Sequence, residues 1–132
     1  MLVVEDDETV ADVIREVLMD QPYQVLFAAS AEDAIEMFTP EPPDLILTDI
    51  SLPGKSGLDV MREARAVDPE VAVILMTGYA SVQTAIDALR QGADDYVTKP
   101  FDDIADLPVM VEKRLRNRRL RDTDSLDADP IA

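Results

Sequence analysis

Residues 71–76 read VAVILM, six apolar side chains in succession. A run of this kind is typical of a β-strand that is covered on both faces, because a strand with one face in water alternates apolar and polar side chains. Strands covered on both faces occur mainly in parallel sheets that have helices above and below them. The stretch therefore predicts an α/β fold.

Four shorter apolar runs lie on either side of this stretch and are predicted as further strands. The segments between the runs carry apolar side chains at the spacing of an amphipathic helix. In the first segment these side chains are Val10, Val13, Ile14, Val17 and Leu18. The four shorter strands are predicted at residues 2–4, 25–29, 45–47 and 96–97.

Capping and helix-breaking residues mark the helix boundaries. Ser30 is predicted to cap the second helix, and the third helix is predicted over residues 57–67 because Pro69 disfavours helical backbone at the residue before it. The fourth helix is predicted to end at Gly92, a common helix C-terminal residue. The apolar side chains of the fourth helix are Val82, Ala85, Ile86 and Leu89.

Strand and helix alternate five times along the chain, which predicts a five-stranded parallel sheet with helices on both faces. The length of 132 residues fits one domain. We expect this domain to cover residues 1–121, with a last helix from about residue 103 to 121. Residues 122–132 lack an apolar stripe, which indicates a disordered tail or the start of a linker to an absent output domain.

The composition excludes several kinds of chemistry. The chain has 28 acidic and 12 basic residues, a net charge of −16, and neither histidine nor cysteine. Histidine-dependent catalytic triads and the common zinc sites are therefore excluded, and the charge argues against nucleic-acid binding by this domain. No apolar run is long enough to span a membrane, and the lack of cysteine fits a cytoplasmic protein. The basic residues of the segment 112–121 are expected on the solvated face of the last helix.

The residues that come after the predicted strands are chemically distinctive. In an open parallel sheet, ligands bind beyond the carboxyl ends of the strands. Acidic residues 5–7 follow the first strand, Asp49 follows the third, Thr77 the fourth and Lys99 the fifth. The predicted topology therefore brings carboxylates, a hydroxyl and an ammonium group to one edge of the sheet.

This set of groups predicts a phosphoryl acceptor. Clustered carboxylates repel one another, and a hard divalent cation such as Mg²⁺ relieves that repulsion and prefers oxygen ligands. Asp6 and Asp49 are the expected direct ligands. A carboxylate can attack phosphorus, and Thr77 and Lys99 suit the phosphoryl oxygens by hydrogen bond and by charge. Asp49 is the predicted acceptor.

Simpler explanations exist for each of these residues taken alone. The acidic residues 5–8 could cap a helix, and Asp49 could be a turn residue. The tripeptide at residues 54–56, Gly-Lys-Ser, resembles the end of a nucleotide-binding P-loop, but that motif requires glycine at position 49. We therefore interpret the stretch LPGKSG as a turn with Lys55 exposed to solvent. For the other residues, the convergence of polar side chains at four strand ends favours a phosphoryl acceptor over the simpler explanations.

The sequence resembles the receiver domain of bacterial two-component response regulators. The matching segments occur in the family's order and spacing and together extend from residue 2 to about residue 115. They are LVVEDDE at 2–8, PDLILTDISLPGKSGLDVM at 43–61, VAVILMTGYAS at 71–81 and GADDYVTKPF at 92–101.

The resemblance implies a flavodoxin-like sheet with strand order 2-1-3-4-5. It also implies that Asp49 is the phosphorylation site and that Asp6 ligates Mg²⁺ directly. Glu5 stands where an aspartate is commoner, and it would contact the metal weakly or through water. The third protein ligand would be the backbone carbonyl of Ser51.

The resemblance further implies that Thr77 and Lys99 contact the phosphoryl oxygens and that the bond between Lys99 and Pro100 is cis. Tyr96 matches the family's aromatic switch position, where it would rotate as Thr77 moves towards the phosphoryl group. The simpler explanation for Tyr96 is a core aromatic residue with its hydroxyl at the surface.

The implied function is phosphorylation-dependent signalling. A sensor histidine kinase would supply the phosphoryl group, and the switched surface would control a C-terminal output domain or a partner protein, with phosphorylation-linked homodimerisation as a further implication. The protein would catalyse its own phosphorylation and dephosphorylation without being a turnover enzyme.

Two other functions compete with this interpretation. A phosphatase of the haloacid dehalogenase type uses a similar order of groups, but its motif would put the nucleophile at Glu5 and leave Asp49 without a role. An interaction module that works without phosphate would leave the complete acceptor set unexplained.

Overall fold

The computed structural model describes residues 1–78, 82–98 and 106–118. It contains one five-stranded parallel sheet with the order β2-β1-β3-β4-β5, so the predicted fold class and strand order are confirmed. The elements follow in the order β1 (Leu2–Val4), α1 (Glu8–Leu18), β2 (Leu26–Ala28), α2 (Ala31–Phe38), β3 (Leu45–Asp49), α3 (Gly57–Val67), β4 (Ala72–Thr77), α4 (Val82–Arg90), β5 (Asp95–Thr98) and α5 (residues 107–118).

Helices cover both faces of the sheet. On one face, Phe38 of α2, Met61 of α3 and Ala88 of α4 are buried against strand side chains. On the other face, Ile14 of α1 and Leu107 of α5 are buried in a second apolar cluster. Every residue of β3 and β4 is buried, as the VAVILM run predicts for strands at the centre of such a sheet.

Local capping explains where the helices begin. The Ser30 hydroxyl accepts a hydrogen bond from the backbone N–H of Asp33 at 3.1 Å, which confirms the predicted cap of α2. Ser56 and Asp59 form a reciprocal capping box at the start of α3. The helix α3 has the predicted bounds and ends at Val67, and Asp68 is its C-terminal cap.

The predicted apolar stripe of α4 is wrong for Ile86 and Leu89, and the side chains of its other two members, Val82 and Ala85, lie outside those that the structure describes. Ile86 and Leu89 are 37% and 40% exposed, whereas Ala88 is fully buried. The buried side of this helix is therefore rotated towards Ala88, so that two large apolar side chains face outwards.

Two basic residues of the segment 112–121, Arg114 and Arg118, are also less solvated than expected. Arg118 of α5 contacts Asp68 at 2.8 Å, and the side chains of the pair are only 16% and 18% exposed. Arg114 contacts Asp95 of β5 at 3.0 Å, with comparable burial. These ion pairs hold α5 against the domain. Pro108 lies in the first turn of this helix, where its missing N–H breaks no helical hydrogen bond.

Candidate functional site at the carboxyl edge of the sheet

Three strands bring polar side chains to the carboxyl edge of the sheet. The central strand β3 lies between β1 and β4, with Val4 opposite Thr48 and Asp49 opposite Met76. Asp49 and Thr77 are the last residues of their strands, so both strands extend further than the apolar runs alone predict. Both residues belong to strands that are paired with a neighbouring strand on each side.

Three carboxylates form a compact cluster at this edge. One carboxylate oxygen from each of Glu5, Asp6 and Asp49 lies within 4.8 Å of the other two. Glu5 and Asp49 are only 4% and 6% exposed, and Asp6 is exposed. Three negative groups at this spacing repel one another unless a cation or a proton compensates them. The donor set consists of oxygen atoms alone, which fits a hard divalent cation such as Mg²⁺.

The acidic stretch at residues 5–8 serves two purposes. Glu5 and Asp6 belong to the carboxylate cluster. Asp7 is the N-terminal cap of α1, and its Oδ1 accepts hydrogen bonds from the N–H groups of Thr9 at 2.9 Å and Val10 at 3.3 Å. The metal interpretation and the capping interpretation therefore apply to different residues of the same stretch.

The turn that follows β3 holds Asp49 in place. The backbone N–H of Ser51 donates a hydrogen bond to Oδ1 of Asp49 at 2.9 Å. The N–H of Ile50 bonds the carbonyl of Met76, and the N–H of Gly57 bonds the carbonyl of Ile50, each at 2.9 Å. Both the carboxylate and the backbone around it are thus restrained by hydrogen bonds.

Glycine is needed at two positions of this turn, for a different structural reason at each. Gly54 has a φ of +77°, a conformation that other residues rarely adopt. Gly57 is required for space, because a Cβ atom there would lie 2.1 Å from the backbone oxygen of Asp49. Lys55, between them, is about half exposed and lies 3.5 Å from Glu63. The predicted turn with an exposed lysine is confirmed.

Two further predicted site residues, Thr77 and Tyr96, lie on β4 and β5. Thr77 is 2% exposed, and its hydroxyl donates to the carbonyl of Gly78 at 3.1 Å. Tyr96 lies opposite Leu75 on the edge strand β5 and is 38% exposed. The switch role of these two side chains stays a prediction. Lys99 and Pro100 lie outside the described residues, so the predicted ammonium group and cis bond are not tested.

Thr48 is a polar neighbour of Asp49 that was not among the predicted site residues. Its side chain is fully buried, and its hydroxyl donates to the carbonyl of Asp49 at 3.1 Å. The signal in the sequence was a hydroxyl that interrupts an otherwise apolar strand immediately before the acidic residue.

Comparison with known proteins identifies relatives of this chain. A sequence model of the response regulator receiver domain matches residues 1–112. Transcriptional regulatory protein DltR of Streptococcus agalactiae is 38% identical over 119 residues, which are 90% of this chain and 52% of that protein. Transcriptional regulatory protein ZraR of Escherichia coli is 35% identical over 132 residues, 100% of this chain and 29% of that protein. The chain thus spans about half or less of the length of these curated relatives.

Solved structures give the same result. The crystal structure of a response regulator receiver domain protein from Clostridium thermocellum superposes with a TM-score of 0.82 at 31% identity, covering 90% of this chain and 95% of the other.

Within the part of the chain that the structure describes, no helix combines the length and the apolar character needed to cross a membrane.

Proposed function

Because the chain belongs to the response regulator receiver domain family, we propose that it accepts a phosphoryl group from a sensor histidine kinase on Asp49. The observation that carries this proposal is the cluster of Glu5, Asp6 and Asp49 at the carboxyl edge of the sheet. The chain itself has no histidine, so the phosphohistidine donor belongs to the partner.

The transfer converts one phosphoryl bond into another. A carboxylate oxygen of Asp49 attacks phosphorus, the P–N bond of the donor phosphohistidine breaks, and the imidazole nitrogen keeps the bonding electrons. The N–H of Ser51 holds Oδ1 and so fixes the plane of the attacking carboxylate. The products are an acyl phosphate on Asp49 and a histidine that is neutral because its other ring nitrogen carries a proton. Water later attacks the acyl phosphate and returns the carboxylate and inorganic phosphate.

The acidic cluster provides the site for Mg²⁺. Asp6 and Asp49 would be the direct ligands, Glu5 would contact the ion weakly or through water, and the backbone carbonyl of Ser51 would complete the protein's share of the ligands. When bound, Mg²⁺ neutralises charge on the carboxylates and on the phosphoryl oxygens.

Thr77 and Lys99 contact the phosphoryl oxygens in this proposal. Thr77 also takes part in the conformational change that follows phosphorylation. The buried hydroxyl of Thr77 donates a hydrogen bond, and Lys99 supplies positive charge. As Thr77 turns from the carbonyl of Gly78 towards the phosphoryl group, Tyr96 moves inwards. The added phosphoryl charge thereby shifts the equilibrium between two conformations of the domain, as phosphorylation switches generally do.

The surface that responds is formed by α4, β5 and α5. Apolar side chains already protrude from all three elements, as expected of a surface that contacts another protein. This surface controls an output domain or a partner protein in the cytoplasm, and it supports phosphorylation-linked homodimerisation. The proposed receiver covers residues 1–121, and the proposed tail or linker at residues 122–132 lies outside the described residues. The apolar side chains that protrude from these three elements are those of Ile86 and Leu89 on α4, Tyr96 on β5 and Val109 on α5.

The phosphatase alternative explains less of the site. It would use Glu5 as nucleophile and would leave the buried carboxylate of Asp49, and the hydrogen bond that Ser51 donates to it, without a function. We accordingly expect self-limited phosphorylation and no sustained turnover of generic phosphate esters.

The test is labelling by acetyl phosphate in the presence of Mg²⁺, followed as a gain in intact mass. The wild-type chain is expected to gain one phosphoryl group, and Asp49→Asn is expected to gain none. Asp7→Asn is the matched control, because asparagine also caps helices and Asp7 lies outside the carboxylate cluster. Undiminished labelling of Asp49→Asn would refute the assignment.

A further inference from the structure

A buried hydroxyl lies in the middle of the sheet, one residue before the acceptor. Thr48 is on β3, the central strand of five, and its side chain is fully buried. Its partners on the neighbouring strands are Val4 and Leu75, both apolar and both fully buried. A hydroxyl in such surroundings is unfavourable unless it is hydrogen-bonded.

The fold does not require this hydroxyl. Valine has nearly the shape of threonine, shares its preference for strands and carries no polar atom. The hydroxyl of Thr48 donates to the backbone carbonyl of Asp49 at 3.1 Å. The polar group of Thr48 is therefore directed at the backbone of the residue that carries the chemistry.

The same carbonyl is confined from another side. Gly57, the first residue of α3, lies so close that a Cβ atom there would be 2.1 Å from the Asp49 oxygen. The peptide group that contains this carbonyl leads through Ile50 to Ser51, whose N–H holds the Asp49 carboxylate at 2.9 Å. Rotation of this peptide group would change the aim of the Ser51 N–H and thereby the orientation of the carboxylate.

We propose that Thr48 is a positioning residue for phosphoryl transfer, which rests on the function proposed above. Its hydroxyl fixes the peptide group that follows Asp49, and that peptide group keeps the Ser51 N–H aligned with Oδ1. Thr48 does not contact the phosphoryl group. It acts through the backbone of Asp49, so its loss lowers the rate of transfer and leaves the binding of the phosphodonor unchanged.

Three variants at this position separate positioning from packing. Thr48→Val removes the hydroxyl and keeps the shape, and Thr48→Ser keeps the hydroxyl and removes a buried methyl group. Thr48→Ala removes both and differs from the serine variant mainly in the hydroxyl. Thr39→Val is the control, because Thr39 also bonds a backbone carbonyl, that of Ile35, but lies exposed at the end of α2.

The measurements are the rate of Mg²⁺-dependent labelling over a range of acetyl phosphate concentrations and the midpoint of urea unfolding. We expect Thr48→Val to label about threefold to tenfold more slowly at saturation, the range for one hydrogen bond, with the same half-saturating concentration. Its unfolding midpoint is expected to stay close to that of the wild type, because the added apolar contact offsets most of the lost hydrogen bond. Thr48→Ser is expected to show the reverse pattern, with lower stability and a rate within about twofold of wild type.

This reversal between stability and rate is not expected of a residue that only packs the core. Equal saturating rates for Thr48→Val and wild type would overturn the proposal, and if the valine variant fails to fold, equal rates for Thr48→Ala and Thr48→Ser would do so. Different results would refute the proposed function itself. These are a wild-type chain that is not labelled, or an Asp49→Asn variant that is labelled to the same extent as the wild type.

Discussion

The close approach of Gly57 to the backbone of Asp49, the proposed acceptor, predicts a specific effect of Gly57→Ala. The added Cβ atom would lie 2.1 Å from the oxygen of Asp49, 2.9 Å from its carbonyl carbon and 2.9 Å from the Cα of Ile50. All three neighbours are backbone atoms, so no side-chain rotation can relieve the contact. Since carbon and carbonyl oxygen normally stay at least about 3.3 Å apart, the start of α3 and the end of β3 must separate by about 1 Å.

The expected consequences differ in size for stability and for phosphoryl transfer. Overpacking of this kind destabilises a fold by about 1–3 kcal/mol, and the gain in helix propensity from glycine to alanine offsets at most about 1 kcal/mol of that. A displacement of about 1 Å at a reacting group can slow a reaction about a hundredfold. We therefore expect Gly57→Ala to be modestly less stable and to label with acetyl phosphate far more slowly.

Gly54→Ala is the matched control, since it changes the other glycine of the same turn. Gly54 has a φ of +77°, and the nearest atom to an added Cβ is Oε1 of Glu32 at 3.4 Å. Alanine there strains the backbone by about 1 kcal/mol but pushes on no atom of Asp49. Urea unfolding and labelling rates of both variants test the reasoning. Wild-type labelling by a folded Gly57→Ala would refute it, and so would a rate in Gly54→Ala that falls equally far.

Three other predictions concern separate parts of the domain. Lys99→Ala is expected to weaken labelling far more than Lys55→Ala, because Lys55 is half exposed and pairs with Glu63 at 3.5 Å; equal effects would contradict the proposed roles. Arg118→Ala is expected to lower the free energy of unfolding by about 1–3 kcal/mol, since it leaves the mostly buried Asp68 without this partner; urea unfolding at the wild-type midpoint would contradict this. Burial, together with a nearby carboxylate, raises the pKa of Tyr23 to about 12. Between pH 10 and 12 the unfolded state therefore loses a proton that the folded state keeps, so stability falls as pH rises and Tyr23→Phe is expected to reduce that fall in alkaline unfolding.

The sequence predicts most of the site because its residues sit at the ends of strands. Parallel strands place their carboxyl ends at one edge, so Glu5, Asp49 and Thr77 could be brought together without any knowledge of side-chain contacts. The strand order could not be predicted in this way, because local periodicity does not specify which strands are neighbours. It came from the resemblance to receiver domains, and the structure confirms it.

What could not be predicted depends on contacts between distant segments. The periodicity of α4 predicted Ile86 and Leu89 on its apolar stripe, but which side chains face outwards depends on how that helix packs against the sheet. The ion pair of Arg118 with Asp68 joins residues that are far apart in the chain, so a run of basic residues looked like a solvated face. The close approach of Gly57 to Asp49 likewise becomes visible only when the turn is built in three dimensions.

The most direct test of the acceptor is to locate the phosphoryl group chemically. The wild-type chain is labelled with acetyl phosphate and Mg²⁺ and then treated with borohydride, which reduces an aspartyl phosphate to homoserine and leaves free carboxylates unchanged. Peptide mass spectrometry is expected to find homoserine at position 49, dependent on Mg²⁺. Reduction at Glu5 with an intact aspartate at position 49 would contradict the account and would support the phosphatase alternative.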